Sequence, residues 1–276
     1  MSEGRQRNAL NEEEIAEISQ LARKKLTQLG KLNDIIGTQV FTLLGLHAHV
    51  LYYPLDEDGP WGFACLGDGK PFVAINTSIE DEKCVFTAAH ELYHIWFDTK
   101  SDYIPPTVLD EKDEKGDILD IAELRANRFA AEFLVEKSLL EQEMHIYAIK
   151  ANKVTDKDIL MLADLFSVPY RTMVKRLYEI SAITARDRDV YLKKTQDELN
   201  KLSLRYSLPI TKADGRIALD SLVELAVSQY EKHGITFEKF TYLLRMADLD
   251  PAEVGINKPK EHVQPSDDEL DLIMEE

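Results

Sequence analysis

The stretch Phe86-Thr87-Ala88-Ala89-His90-Glu91-Leu92-Tyr93-His94 carries residue types at a spacing that can do hydrolytic chemistry. In a helix, His90 and His94 lie one turn apart on the same face. Two imidazoles so placed can grip one metal ion, and Glu91 between them stands beside the open coordination position as a general base. The surrounding residues support a helix: Val85, Ala88, Ala89, Leu92 and Trp96 recur at helical spacing. Upstream, Thr77 and Ser78 each have an acid three residues on, Glu80 and Asp81, the pattern of a capped start.

A catalytic zinc site needs three protein ligands. Glu123 is the candidate for the third. It lies in Ile121-Ala122-Glu123-Leu124-Arg125-Ala126-Asn127-Arg128-Phe129-Ala130-Ala131-Glu132-Phe133-Leu134, where Glu123, Asn127, Ala130 and Leu134 share a helical face. Ala88 and Ala89 on the first helix, and Ala126, Ala130 and Ala131 on the second, allow a close approach that would bring the Glu123 carboxylate to the metal. Two histidines and a carboxylate suit Zn2+, expected at one ion per chain; Mn2+ is the alternative, since such a donor set accepts several divalent ions.

These two stretches, in this order, resemble the ImmA/IrrE metallo-endopeptidases. The resemblance rests on Phe86 to His94 and on Glu123-x-x-Ala126-Asn127-x-Phe129-Ala130-Ala131-x-x-Leu134. Ile75-Asn76 upstream and Ile159-Leu160-x-Leu162-Ala163-x-x-Phe166-x-Val168, with Val174, Arg176 and Leu177, downstream also look like the family. The similarity covers residues 10 to 183, and 215 to 256 more weakly. Arg125 stands where the family often has a second acid or Gln, and Glu136 where a Pro usually ends the helix. The resemblance implies a zincin-like fold and an endopeptidase that cleaves or relieves helix-turn-helix transcriptional repressors in mobile elements or stress responses. The chain has no N-terminal basic helical domain, so the repressor would be a separate partner. Asn76, which closes a strand beside the cleft in the family, is a candidate for substrate binding, as are Arg125 and Asn127. Tyr93, Tyr103 and Arg125 are candidates for stabilising the oxyanion.

The elements that must position these groups read as α+β and mostly helical. Residues 11 to 29 form an amphipathic helix with Asn11 before an acidic first turn and Gly30 as a stop. A second helix is expected from Asn33 to Leu46. Three strands follow, at 47–53, 61–66 and 71–76, separated by Gly- and Asp-rich turns, and are read as a small antiparallel sheet. On the first strand His47 and His49 share a face, but without an acid or Cys cluster they read as surface or packing residues. The polar, acidic stretch 98–120 would be a long loop between the two ligand-bearing helices, either lid-like or a solvated spacer.

Beyond Leu134 the pattern is helical. Residues 156–166 and 170–180 have the rhythm of a helix-turn-helix, with Arg171, Lys175 and Arg176 on the second helix, expected to pack on the peptidase body. The division expected is residues 1–183 for a peptidase domain with helical extension, 184–256 for a C-terminal helical region, and 257–276 for an acidic flexible tail.

The 276 residues carry a formal net charge of −17. An acidic chain is repelled by the nucleic-acid backbone, which argues against direct binding to DNA or RNA. Cys65 and Cys84 make no disulfide framework and fit a reducing compartment. The first residues lack the apolar core of a signal peptide, and no apolar run is long enough for a membrane span. A cytoplasmic protein is expected. Two non-enzymatic readings stay open: a metal-stabilised module that sequesters a repressor, and a subunit of a toxin-antitoxin or phage-defence assembly.

Overall fold

A computed structural model describes residues 9–56, 58–65, 69–97, 121–247 and 249–257. The expected loop at 98–120 and tail at 257–276 therefore lie outside the described residues, apart from residue 257. By packing, the chain divides into two units, Met1–Leu219 and Asp220–Glu276.

In the first unit, helix α1 (Glu12–Gln28) starts from Asn11, whose side chain accepts from the Glu14 amide while Glu14 reaches back to the Asn11 amide. It ends at Gly30, held at φ +67°, where a side chain would be strained. Helix α2 (Gln39–His47) is shorter than expected at its start, because Gly37 takes φ +47° and interrupts the helical backbone. The strands are β1 (His49–Tyr53), β2 (Gly62–Cys65) and β3 (Phe72–Asn76). His47 thus ends a helix and does not lie on the strand with His49.

The sheet is mixed, in the order β2-β3-β1-β4, where β4 is Ala218–Leu219. β2 and β3 pair antiparallel as expected, but β1 pairs with β3 in parallel, His49 opposite Phe72 through Tyr53 opposite Asn76. The burial pattern explains the order. β1 and β2 alternate buried and partly buried positions, whereas β3 is buried at every residue from Val73 to Asn76. A strand buried on both faces takes the middle of a sheet, which here separates β1 from its sequence neighbour.

Helix α3 (Asp81–Phe97) packs against α2, β2, β3 and α4 (Ile121–Leu134). It is buried at every residue from Cys84 to His94, not on one face alone. Its start is not capped by Thr77 or Ser78: Thr77 Oγ1 donates to the Arg216 carbonyl and Ser78 Oγ to the Leu55 carbonyl. Ala88, Ala89, Ala126 and Ala130 are all solvent-inaccessible, and Tyr93, Trp96, Phe97, Phe129 and Phe133 form an edge-to-face and stacked aromatic cluster between α3 and α4.

Helices α5 (Lys137–Ile146), α6 (Asp156–Phe166), α7 (Tyr170–Glu179), α8 (Ala185–Tyr191) and α9 (Gln196–Tyr206) complete the first unit. Glu136, where the family usually has Pro, keeps a proline-like φ of −62° and uses its carboxylate to cap α5 at the Leu139 amide. The second unit holds α10 (Leu222–Glu231), α11 (Phe237–Arg245) and a 3-10 turn at Pro251–Val254, built around Ala226, Phe240 and Leu244 with Tyr230 stacked on Phe240. Among the described residues no helix is long and apolar enough to cross a membrane.

Candidate metal and catalytic centre

Two helical pairs of side chains, each one turn apart, build the centre. α3 supplies His90 and His94, and α4 supplies Glu123 and Asn127. Their polar atoms meet because the alanines let the two helices come close. His90 Nε2 and His94 Nε2 are 3.1 Å apart, His90 Nε2 is 3.2 Å from one Glu123 oxygen, and His94 Nε2 is 3.5 Å from the other. All three residues are buried, and together they form a group able to hold a metal ion.

The separations themselves test the fit. Donors held about 2.0–2.1 Å from one tetrahedral centre stand about 3.3–3.4 Å from each other. The 3.1 Å between the two imidazole nitrogens, and their 3.2 and 3.5 Å to the two different oxygens of Glu123, lie close to that value, and the donor set of two imidazoles and one carboxylate leaves room for a further ligand. The electrostatics agree. Burial alone would depress His90, but its hydrogen bond to the Glu123 carboxylate, the charges of Glu91 and Glu123, and its hydrogen bond to Asn127 together raise its pKa above the ordinary value. A buried pocket that draws positive charge onto an imidazole in this way suits a cation.

Glu91 lies on the same helix, wholly buried, and neither of its carboxylate oxygens has a hydrogen-bond partner among the described residues. Burial pushes its carboxyl up to about 7; the charge on His90 pulls it down, and Glu123 adds to the rise. β2 runs close by. A Cβ added at Gly62 would stand 2.5 Å from Thr87 Cγ2, 2.8 Å from the Ala74 carbonyl and 3.7 Å from Glu91 Oε1, so only glycine permits this approach. Gly62 was not singled out by the sequence analysis, although a glycine within a strand pattern is the available signal.

The other expected contacts are differently engaged. Asn127 presents Oδ1 at 2.9 Å from His90 Nδ1. The Asn76 side chain is consumed by backbone: Nδ2 donates to the Asp56 and Pro60 carbonyls, and Oδ1 accepts from the Leu55 and Ser78 amides. It thereby satisfies a loop whose polar groups would otherwise lack partners. Arg125 reaches α1, where it pairs with Glu17 at 3.0 Å, and its Nε donates to the Tyr93 hydroxyl. Two oxyanion candidates are thus bonded to each other; the third, Tyr103, lies outside the described residues.

His47 packs edge-on against Trp96, its pKa lowered by burial and by Lys25 and Lys70. The basic helix α7 does pack on the body: Arg176 is buried, donating to the Val135 carbonyl and pairing with Glu132 at 2.7 Å. Glu132 also pairs with Arg128 and accepts from Ser19.

No curated relative matches the chain. A family model described as Peptidase_M78, IrrE N-terminal-like domain, matches residues 37–178, more than half of the sequence and the part that contains α2 through α7 nearly complete. With that match spanning both helices that build the centre, the chain belongs to the Peptidase_M78 family of IrrE N-terminal-like domains.

Proposed function

We propose that the protein is a metal-dependent endopeptidase in which His90, His94 and Glu123 hold one Zn2+ ion, or Mn2+ in its place, and Glu91 is the general base. The observation that carries this reading is the convergence of His90, His94 and Glu123, all buried, beside the buried Glu91 carboxylate, which has no hydrogen-bond partner among the described residues. When bound, the ion supplies Lewis acidity to the scissile carbonyl and acidifies water.

Glu91 then takes the proton of the attacking water and passes it to the leaving amine. A carboxyl poised near neutrality is suited to both transfers, since it gives and receives a proton at similar cost. Its dry surroundings keep other partners from competing for that proton. β2 is an edge strand with β3 as its only strand partner among the described residues, so its outer edge offers backbone groups to an extended peptide beside Glu91.

The proposed substrate is a separate helix-turn-helix repressor, in a stress response or in the regulation of a mobile element. Support for this comes from the family resemblance alone. Cytoplasmic location is supported by the two free cysteines, and a protein rather than a nucleic-acid partner by the net charge of −17.

Elemental analysis of wild type, His90→Ala, Glu123→Ala and Glu91→Gln, beside cleavage of a peptide library read by mass spectrometry, tests the proposal. Near one metal per chain is expected in wild type and Glu91→Gln, with loss in the other two and cleavage by wild type alone. Metal in wild type with no cleavage by any form would favour a metal-stabilised sequestering module. No metal in wild type after addition of zinc would sink the centre.

A further inference from the structure

Asn127 sits where it can decide how His90 is presented. Its Oδ1 is 2.9 Å from His90 Nδ1, while the opposite ring nitrogen, Nε2, faces His94 at 3.1 Å and Glu123 at 3.2 Å. A neutral imidazole carries its proton on one nitrogen and a lone pair on the other. Rotating the ring by half a turn would put Cδ2 in place of Nδ1 and Cε1 in place of Nε2, and so misdirect the lone pair. A carboxamide oxygen can only accept, so it selects the tautomer with the proton on Nδ1.

We infer that Asn127 is the positioning residue of this centre: it accepts the Nδ1–H of His90 and so keeps the Nε2 lone pair aimed at the point shared with His94 and Glu123. The inference rests on the metal-centre reading above. The backbone supports it, because Asn127 is one turn after Glu123 on α4. One rigid helix therefore presents a ligand to one nitrogen of His90 and an acceptor to the other, and the α3–α4 packing fixes both distances at once.

The residue type matters as well. An aspartate at this position would give the same hydrogen bond but add a negative charge to a centre that already holds Glu123 and Glu91, both buried. The amide orients the ring without that charge. Asn127 itself is only half-buried, so truncating it removes the hydrogen bond with little loss of core packing.

The test is Zn2+ affinity of the full-length chain, measured by competition with a chelator, for wild type, Asn127→Leu, Asn127→Ala and Asn127→Asp. Thermal unfolding of each metal-free form checks folding. The expected result is a loss of about 10–100-fold in Zn2+ affinity for the Leu and Ala variants and a change of only a few-fold for Asp, which restores the acceptor. Nitrogen-resolved NMR of the zinc-loaded protein should show a slowly exchanging His90 Nδ1 proton in wild type and Asn127→Asp, absent from the Leu and Ala variants. A purely structural role would not move that signal. Leu and Ala variants that bind Zn2+ as tightly as wild type and keep the Nδ1 proton would overturn the role of Asn127 alone. Wild type that binds no more Zn2+ than His90→Ala would overturn the centre, and this inference with it.

Discussion

At the scale of single residues, Glu91 and Gly62 bear the most specific expectations. Glu91→Gln keeps size and helix but cannot relay a proton, so kcat for peptide hydrolysis should fall about 10²–10⁴-fold while metal content is unchanged. Metal analysis beside steady-state kinetics reads both; a variant that loses metal as well would make Glu91 part of the ligand set. Gly62→Ala forces a methyl against Thr87 Cγ2 and the Ala74 carbonyl. The cost should be about 1–3 kcal/mol, read by denaturant unfolding. Adding Thr87→Ser removes one of the two clashes and should recover part of the loss; no recovery would place the strain at the backbone alone. The one-turn spacing of His90 and His94 was legible in the sequence because a helical repeat is a local property. Asn127 reads from the sequence as a candidate for substrate binding, whereas its contact with His90 was not legible, because that contact depends on the angle at which α4 meets α3. Asn76 shows the same limit: three of its four backbone partners belong to the loop between β1 and β2, whose path no spacing encodes.

At the scale of elements, the periodic pattern located α1, α4, α6 and α7 closely, since each carries an apolar stripe, whereas α3 is buried all round from Cys84 to His94. Where the sequence reading departs from the structure, long-range pairing decides. β1 pairs in parallel with β3 because β3 is the strand whose both faces are buried, a fact of the whole sheet. Of the joint between α4 and α7, only the basic character of α7 and its packing on the peptidase body were legible in the sequence. Its centre is Glu132, paired with Arg176 and Arg128 and accepting from Ser19 of α1. Burial would raise the Glu132 pKa, but Arg176, then Arg128, outweigh it and hold the carboxyl below its ordinary value. A depressed folded-state pKa means that this pair stabilises the fold above the unfolded value of about 4.3 and loses that contribution as pH falls through the folded value. Glu132→Gln leaves a buried guanidinium with only part of its compensation and should cost about 2–4 kcal/mol at pH 7. Unfolding curves at pH 7 and pH 3 should show the gap between wild type and variant narrowing in acid; a gap of constant size would mean that packing, not charge, accounts for it.

At the scale of the molecule, the segment that follows α9 shows where the first unit ends. From the sequence, Ser207 to Asp214 reads as a linker, yet the segment from Thr211 to Leu219 is tied to the start of α3 and to the outer edge of β1. Thr211 Oγ1 donates to Glu82, the Gly215 amide to the Thr77 carbonyl, and Thr77 Oγ1 to the Arg216 carbonyl. Arg216 lies over the Tyr52 ring at 4.0 Å, and Ala218–Leu219 pairs with Tyr52 and Leu51 as β4. These contacts secure the end of the helix that carries His90, Glu91 and His94, and they cover an edge that would otherwise expose unpaired backbone. A chain ending at Leu219 retains all of them; one ending at Ser207 loses all of them and leaves the Glu82 carboxylate, its pKa raised by burial, without Thr211. At about 0.5–1.5 kcal/mol for each hydrogen bond, the shorter chain should be about 3 kcal/mol less stable, a fall in Tm of about 6–12 °C at this length. The chain ending at Leu219 should match the full-length Tm of its own unit and bind about one metal ion per molecule. Thermal unfolding and metal analysis of the two truncations decide the matter. Equal Tm values would show that the segment is a passive connector, whereas a lower Tm with reduced metal content in the shorter chain alone would make it part of the frame that holds the centre.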